Sequence, residues 1–270
     1  MATYLITGAN RGLGLEFVRH YSNDPKNRVV ALVRNKAAAK KAEPKQFTKP
    51  NVHVVEADLT SYDSLKTAAA ETSDITGNKL DFVIANAGLV SDWSAFDDME
   101  TLGKEPTALQ KDLLDSFSIN VIGNIHLFNL FLPLVRNGSA KKVIAISTGM
   151  ADIDLISKYD IEMAGPYSIS KAALNTAVAK YSAQCRQEGI LFMSISPGVV
   201  ETGQTAGATD EQLQKVAAMG AKFATYAPHF KGPISTEESV TAIDRVILNA
   251  SVEGGSGGSF VSHLGTQQWL

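Results

Sequence analysis

Seven short β-rich runs recur along the chain, Tyr4–Ile6, Val29–Val33, Val52–Val55, Phe82–Ala85, Val143–Ser147, Phe192–Ser196 and Ser259–Ser262, with longer helical patterns between them. This rhythm constrains the fold more than any other feature. The central runs are almost continuously apolar rather than alternating, as strands of a parallel sheet buried on both faces must be. The expectation is an α/β fold with a doubly wound parallel sheet of about seven strands. Leu13–Ser22, Lys36–Lys45, Ser61–Ile75, Thr107–Val135, Ser168–Gln187 and Glu237–Asn249 would supply helices for both faces. All 270 residues are expected to form a single domain, 1–270, because folds of this class often reach that length as one unit. The patch Gly254–Gly258 resembles a linker, yet a strand-like run follows it, so it reads as a turn. Segment 203–235 is rich in Ala, Thr and Gly, with a short helical stretch near Glu211–Met219. It is expected to be a mobile cap in which Met219, Phe223 and Tyr226 offer apolar contacts to a substrate.

Composition narrows the partners. With 44% hydrophobic and 20% charged residues the chain can bury a sizeable core. A net charge of -3 argues against nucleic acid, since non-specific binding to phosphodiester backbones runs on clustered cation excess. Cys185 is the single cysteine, which excludes an internal disulfide and a multi-cysteine metal site. His20, His53, His126, His229 and His263 show no ligand spacing, so no metal is expected. No apolar run reaches the roughly 18 residues that would cross a bilayer, and the start of the chain lacks a signal-type apolar region, so no membrane partner and a cytoplasmic address are expected. Asp97, Asp98 and Glu100 read as a solvated acidic loop.

Thr7-Gly8-Ala9-Asn10-Arg11-Gly12-Leu13-Gly14 follows the first strand and opens a helix. Glycines there let the backbone turn tightly and approach a pyrophosphate, while a helix N-terminus supplies free N–H groups and partial positive charge. The spacing, Gly-x3-Gly-x-Gly, differs from the usual G-x-G-x-x-G, so position in the chain carries the argument. The second strand ends in Val33-Arg34 with no carboxylate, where NAD sites place an acid for the ribose hydroxyl. Arg11 and Arg34 together could bracket a 2'-phosphate, because the guanidinium fork matches that anion. These residues point to NADP(H). Lys36 adds charge nearby but reads as part of a solvated helix face.

Tyr167-Ser168-Ile169-Ser170-Lys171 places a phenol and an ammonium at i and i+4, on one face of a helix. A neighbouring ammonium favours the phenolate, so the tyrosine pKa is expected to fall and the phenol to become a usable proton donor. Ser147 lies at the C-terminal end of the fifth strand, where open α/β sheets make ligand contacts.

Taken in order, these motifs resemble the short-chain dehydrogenase/reductase family, over nearly the whole chain. The match runs through the glycine turn (Gly8, Gly12, Leu13 and Gly14), Asp58 and Leu59, then Asn86-Ala87-Gly88 and Asn120 in Ile119-Asn120-Val121. It continues through Ser147, Tyr167 and Lys171, and ends on Pro197-Gly198-Val199-Val200-Glu201-Thr202. The opening Leu5 to Gly14 and the ending Phe260 to Gly265 with Trp269 are similar to the carbonyl-reductase branch, which includes sniffer-type, C-factor-type and fungal norsolorinic-acid ketoreductase-like members.

The resemblance implies a single-domain Rossmann fold and an NADPH-dependent reductase of ketones or aldehydes. In it Tyr167 protonates the substrate oxygen and Ser147 hydrogen-bonds that oxygen. Lys171 binds the nicotinamide ribose, and Asn120 holds a water that relays protons toward Lys171. Asp58 would serve the adenine pocket, although it could equally cap a helix opening at Ser61, and Asn86 could be structural in its turn. The Pro197–Thr202 turn would meet the nicotinamide. A homodimer or homotetramer is also implied, through a helix over Ser168–Gln187 that carries Ala172, Ala173, Ala177, Ala179 and Ala183. Two other readings stay open: a cofactor-binding sensor with little turnover, and an NAD-linked alcohol dehydrogenase. The stretch from Ser147 to Tyr167 is several residues longer than the family's usual spacing, which leaves Thr148 as an alternative hydroxyl.

Overall fold

The structure, a computed structural model, describes residues 1–203 and 205–270; Gln204, inside the expected cap, lies outside the described residues. In chain order the elements begin β1 (Thr3–Thr7), α1 (Gly12–Ser22), β2 (Arg28–Val33), α2 (Lys36–Ala42), α3 (Pro44–Phe47), β3 (Val52–Glu56), α4 (Tyr62–Thr76) and β4 (Phe82–Ala85). They continue as α5 (Met99–Gly103), α6 (Pro106–Phe117), a π-helical turn (Ser118–Ile122), α7 (Gly123–Arg136), β5 (Lys142–Ile146), α8 (Ile153–Tyr159), α9 (Gly165–Cys185), β6 (Leu191–Ser196), α10 (Asp210–Tyr226), α11 (Thr236–Asn249) and β7 (Phe260–Ser262). Among the described residues the seven strands form one sheet, ordered β3-β2-β1-β4-β5-β6-β7 and parallel throughout.

The two-residue period of the strands divides their side chains between two cores. Ile6, Ala31, Ile84, Ile144 and Ile195 face α1 and α11, against Phe17, Val18, Ile243 and Ile247. Leu5, Val30, Val83, Val143 and Phe192 face the other layer, against Leu65, Leu127, Phe131, Leu174 and Val178 of α4, α7 and α9. The sheet is therefore buried on both faces, as its unbroken apolar runs require. Local chemistry sets the helix ends. Ser61 accepts from Ser64 N at the start of α4, and Gly77, with φ 67°, ends it in the left-handed region. Reciprocal capping boxes open α10 (Thr209 with Gln212) and α11 (Ser235 with Glu238).

Strand order reverses at β1, whose neighbours are β2 and β4, so the crevice for a ligand opens at the C-terminal ends of β1 and β4. At the opposite end of the sheet Asp81 staples the frame: its carboxylate accepts from Thr3 N (2.8 Å), Thr3 Oγ1 (3.0 Å), Ser139 N (2.7 Å) and Ala140 N (3.4 Å).

Several expectations are corrected. The helix expected over Lys36–Lys45 is two, because Pro44 lacks the N–H that continuation would need and starts α3 instead. The helix expected over Thr107–Val135 is interrupted by the π-helical turn at Asn120. By length and composition the 31 residues Pro106–Arg136 would pass for a membrane span, contrary to the sequence reading, yet more than half of their most apolar 18-residue stretch is buried inside the fold. The acidic loop is not merely solvated: Asp98 caps α5 by accepting from Thr101 N, and Asp97 pairs with Lys215 of α10 at 2.6 Å. The cap holds a helix of 17 residues, longer than Glu211–Met219. Val200 and Ile234 form a parallel bridge that ties the two ends of this excursion together. Met219, Phe223 and Tyr226 join a local cluster with Leu155 and Ile161 and with Trp269, rather than standing free for a substrate. The long connection before Tyr167 explains this, because it supplies α8 to cover them.

Candidate active site

The glycine turn is built for close approach. Gly8 and Gly12 sit at φ 64° and 54°, and a Cβ on Gly14 would lie 2.1 Å from Gly8 O. Only glycine fits at such a contact. Asn86 secures the turn by donating from Nδ2 to Thr7 O (3.0 Å), and Thr7 Oγ1 accepts from Asn86 N and Ala87 N. Asn86 is thus structural, and Thr7 is its partner, a role the sequence did not reveal. The start of α1 carries no side-chain cap and no acidic residue in its first turn, with Leu13 partly buried against the core. Its first N–H groups and the positive end of its dipole are therefore available to an anion. These residues fit the pyrophosphate of a dinucleotide.

Beside this turn, Asn10, Arg34, Asn35, Ala38, Ala39 and Ala42 line a shallow depression. Arg11 and Arg34 are exposed, and neither forms an ion pair among the described residues. Lys36 instead faces Glu71 of α4 at 3.6 Å. The carboxylate missing from the end of β2 has a counterpart that sequence reading overlooked. Glu56, in register with Val33, ends β3 and accepts from Lys36 N at 2.8 Å. Asp58 does not cap α4. Its Oδ1 accepts from Thr60 N (2.9 Å) and Thr60 Oγ1 (2.8 Å), shaping the turn that presents Leu59, while Ser61 provides the cap.

The catalytic candidates converge at the C-terminal ends of β4 and β5 and the start of α9. Lys171, 3% exposed, donates from Nζ to Ile146 O at 2.7 Å, and its Nζ lies 5.8 Å from the centre of the Tyr167 ring. A side chain on Gly88 would reach within 3.3 Å of that Nζ and 3.0 Å of Asn120 Oδ1. Asn120, fully buried in the π-helical turn, accepts from Leu89 N (2.7 Å) and donates to Leu89 O (2.9 Å) and Ser170 Oγ (2.9 Å). Its amide thus braces the loop after β4 against α9. A π-turn at this point is what brings the amide inward.

The expectation about the phenol's pKa is corrected, and the two candidate hydroxyls differ in their surroundings. The Tyr167 pKa is not lowered: burial pushes it up to about 12, and the opposing influence is a hydrogen bond with the Thr148 side chain. Burial also brings Lys171 down to about 8. Desolvation penalises each charged form, and the ammonium is turned toward Ile146 O, so the expected pull on the phenol does not prevail. Of the two hydroxyls at this strand end, that of Thr148 lies near enough to Tyr167 to act on its pKa, whereas Ser147 exerts no such influence. Ser147 is 2% exposed and its Oγ has no hydrogen-bond partner among the described residues. Alternation along β5 turns Ser147 into the sheet interior, whereas Thr148, one residue past the buried strand, is partly exposed and also accepts from Met150 N.

Past β6, Pro197 O accepts from Ser239 Oγ (2.7 Å), and Gly198, with φ 82°, packs so closely on His263 that a Cβ would meet the ring at 2.9 Å. Val199 O and Glu201 N bond Ile234, with Val200 between them, and Thr202 lies within 3.7 Å of where a Cβ on Gly12 would be. The Pro197–Thr202 turn therefore reaches the glycine turn.

Comparison with known proteins agrees with this geometry. The family model for short chain dehydrogenases matches residues 2–213. A short chain dehydrogenase, virK, of Hypocrea virens is 51% identical with all of both chains aligned, and the short-chain dehydrogenase/reductase iacC of Pestalotiopsis fici is 46% identical, again over both whole chains. Among solved structures, the NADPH-bound carbonyl reductase from chicken fatty liver is 26% identical with a TM-score of 0.77, and carbonyl reductase Sniffer of D. melanogaster is 25% identical with 0.76; each alignment covers 98% of both chains. Glycine turn, strand order, tyrosine–lysine helix and whole-length similarity agree, and the chain belongs to the short-chain dehydrogenases, oxidoreductases among which it fits the carbonyl-reductase branch.

Proposed function

We propose that the protein reduces a ketone or aldehyde to the alcohol with NADPH, Tyr167 acting as proton donor. The observation that carries this reading is the grouping of Tyr167 with Thr148 beside it and buried Lys171, whose Nζ lies 5.8 Å from the phenol ring, near a glycine turn fitted to a pyrophosphate. The cofactor, when bound, supplies the hydride that the carbonyl carbon accepts. The protein's own part is proton chemistry and positioning. A phenol whose pKa burial holds near 12 stays protonated through neutral pH, so it is poised to donate to the substrate oxygen. Thr148, partly exposed beside the phenol, orients that oxygen. Lys171 has one of its three donors committed to Ile146 O, leaving two for a ribose hydroxyl and for the phenolate that remains after proton transfer.

Arg11 and Arg34 support NADP(H), their exposed guanidiniums free of ion pairs among the described residues and set toward the adenosine end. Glu56, one strand further, favours the competing NAD-linked reading, so the ratio of NADPH to NADH affinity separates the two. The experiment is a panel of ketones and aldehydes followed by NADPH consumption, alongside Tyr167→Phe. Turnover on at least one carbonyl is expected, with a loss of about 10²–10⁴ in the phenylalanine variant and unchanged NADPH binding. Full turnover in that variant would require another acid.

A further inference from the structure

Segment 266–270 returns from β7 to the site and meets the turn that carries Thr148. Trp269 is 2% exposed and stacks on Phe260 with ring centres 4.3 Å apart. Its Nε1 donates to Asp152 Oδ2 at 2.7 Å, and its backbone N donates to the Tyr226 hydroxyl of α10 at 3.0 Å. It lies flat against Gly149, the residue after Thr148: a Cβ there would come within 2.7 Å of Trp269 Cβ. From the opposite side Ser196 Oγ at the end of β6 accepts from Gly149 N at 2.9 Å. The turn itself is tight, with Ala151 N donating to Thr148 O (3.0 Å) and Asp152 N to Gly149 O (2.9 Å). Asp152 uses its second oxygen, Oδ1, to cap α8 through Asp154 N. Trp269 thus joins three pieces around the phenol's partner: by its indole the Thr148–Asp152 turn and, through the Asp152 cap, α8, and by its backbone N–H the Tyr226 hydroxyl of α10.

We infer that Trp269 is a positioning residue for the reaction, clamping the 148–152 turn through Asp152 so that the Thr148 hydroxyl stays aimed at the substrate oxygen. This rests on the proposed roles of Tyr167 and Thr148. A hydroxyl displaced by about 1 Å can cost as much as hundredfold in rate, so the clamp acts on kcat.

Trp269→Phe keeps an aromatic ring against Gly149 and Phe260 but removes the Nε1 donor. Asp152→Ser keeps a capping oxygen for α8 and moves the acceptor out of the indole's reach. Each variant is expected to lower kcat about tenfold, to leave NADPH affinity by fluorescence titration unchanged, and to speed hydrogen exchange at the amides of 149–152 about tenfold. The double variant should be no worse than either single one, because both remove the same bond. Normal kcat with only a lower melting temperature, losses that multiply to about hundredfold, or unaltered exchange would each overturn the inference. Thr148→Ala separates it from the reading beneath it. Full turnover there removes the hydroxyl's role and the purpose of the clamp, while the exchange data still report whether the clamp exists.

Discussion

Replacing Ser147 and Thr148 by alanine, one at a time, should produce effects of opposite kind. Ser147 Oγ is buried with no hydrogen-bond partner among the described residues, and a hydroxyl held in that way costs on the order of 1–3 kcal/mol of desolvation. Ser147→Ala removes that penalty and leaves a void of about one oxygen, so a net stabilisation of about 1 kcal/mol is expected. For a chain of this size that corresponds to a rise in Tm of roughly 2–4 °C, with kcat unchanged. Thr148→Ala removes the hydroxyl beside Tyr167 that is proposed to orient the reacting oxygen, and losses at such positions run to about 10²–10³ in kcat. Its stability should move little, since Thr148 is partly exposed and its local bond is an amide at 3.3 Å. The assay is NADPH consumption on the best carbonyl of the panel, paired with calorimetric unfolding of the same preparations. A kcat collapse in Ser147→Ala with normal kinetics in Thr148→Ala would refute the assignment and restore the strand-end serine.

Gly14→Ala should abolish NADPH binding and destabilise the fold by at least about 3 kcal/mol, because its methyl would sit 2.1 Å from Gly8 O, a backbone atom that cannot step aside; titration and thermal unfolding test it. Lys171→Met should raise stability at neutral pH while weakening NADPH binding. A lysine whose pKa falls to about 8 on folding imposes its cost fully below pH 8 and sheds it as pH climbs toward its unfolded value, so the gain over the parent must shrink above pH 8; a gain constant from pH 6 to 10 would contradict this. Arg34→Asp should erase any preference for NADPH over NADH, read from the two dissociation constants. The alanine-bearing α9 is proposed to pair with a second copy, and light scattering at 28.8 kDa would argue for a monomer.

Fold class and strand positions were legible because strands buried on both faces leave an unbroken apolar signature; the expected run Phe82–Ala85 coincides with β4. Glycine-turn positions were legible for a similar reason, since backbone crowding at Gly14 leaves no other residue type. What escaped were features set by tertiary context. The choice between Ser147 and Thr148 depends on where a strand ends, and one residue changes the face. The rise in the Tyr167 pKa was hidden because an i, i+4 spacing speaks of proximity and not of solvent, and burial outweighed the neighbouring charge. The helix at 153–159, capped by Asp152 and Asp160 and carrying Asp154 and Lys158, was visible in the sequence only as extra length, yet Leu155 and the neighbouring Ile161 bury against Met219 and Trp269 from distant parts of the chain. Glu56 went unnoticed because it ends the following strand, and only the β2–β3 register sets it beside the end of β2.

The bridge between Val200 and Ile234 has a consequence for how such a chain can diversify. It pinches the excursion that contains α10 at its base, so whatever lies between the two residues leaves and re-enters the scaffold at fixed, adjacent points. Closing a flexible loop of twice the length costs only about 0.6 kcal/mol more, a small sum beside the stability of a domain this large. Insertions between Thr202 and α10, or between α10 and Ile234, can therefore accumulate without disturbing β6 or the turn that follows it, and selection can reshape the rim of the site while the proton-transfer floor beneath it stays the same.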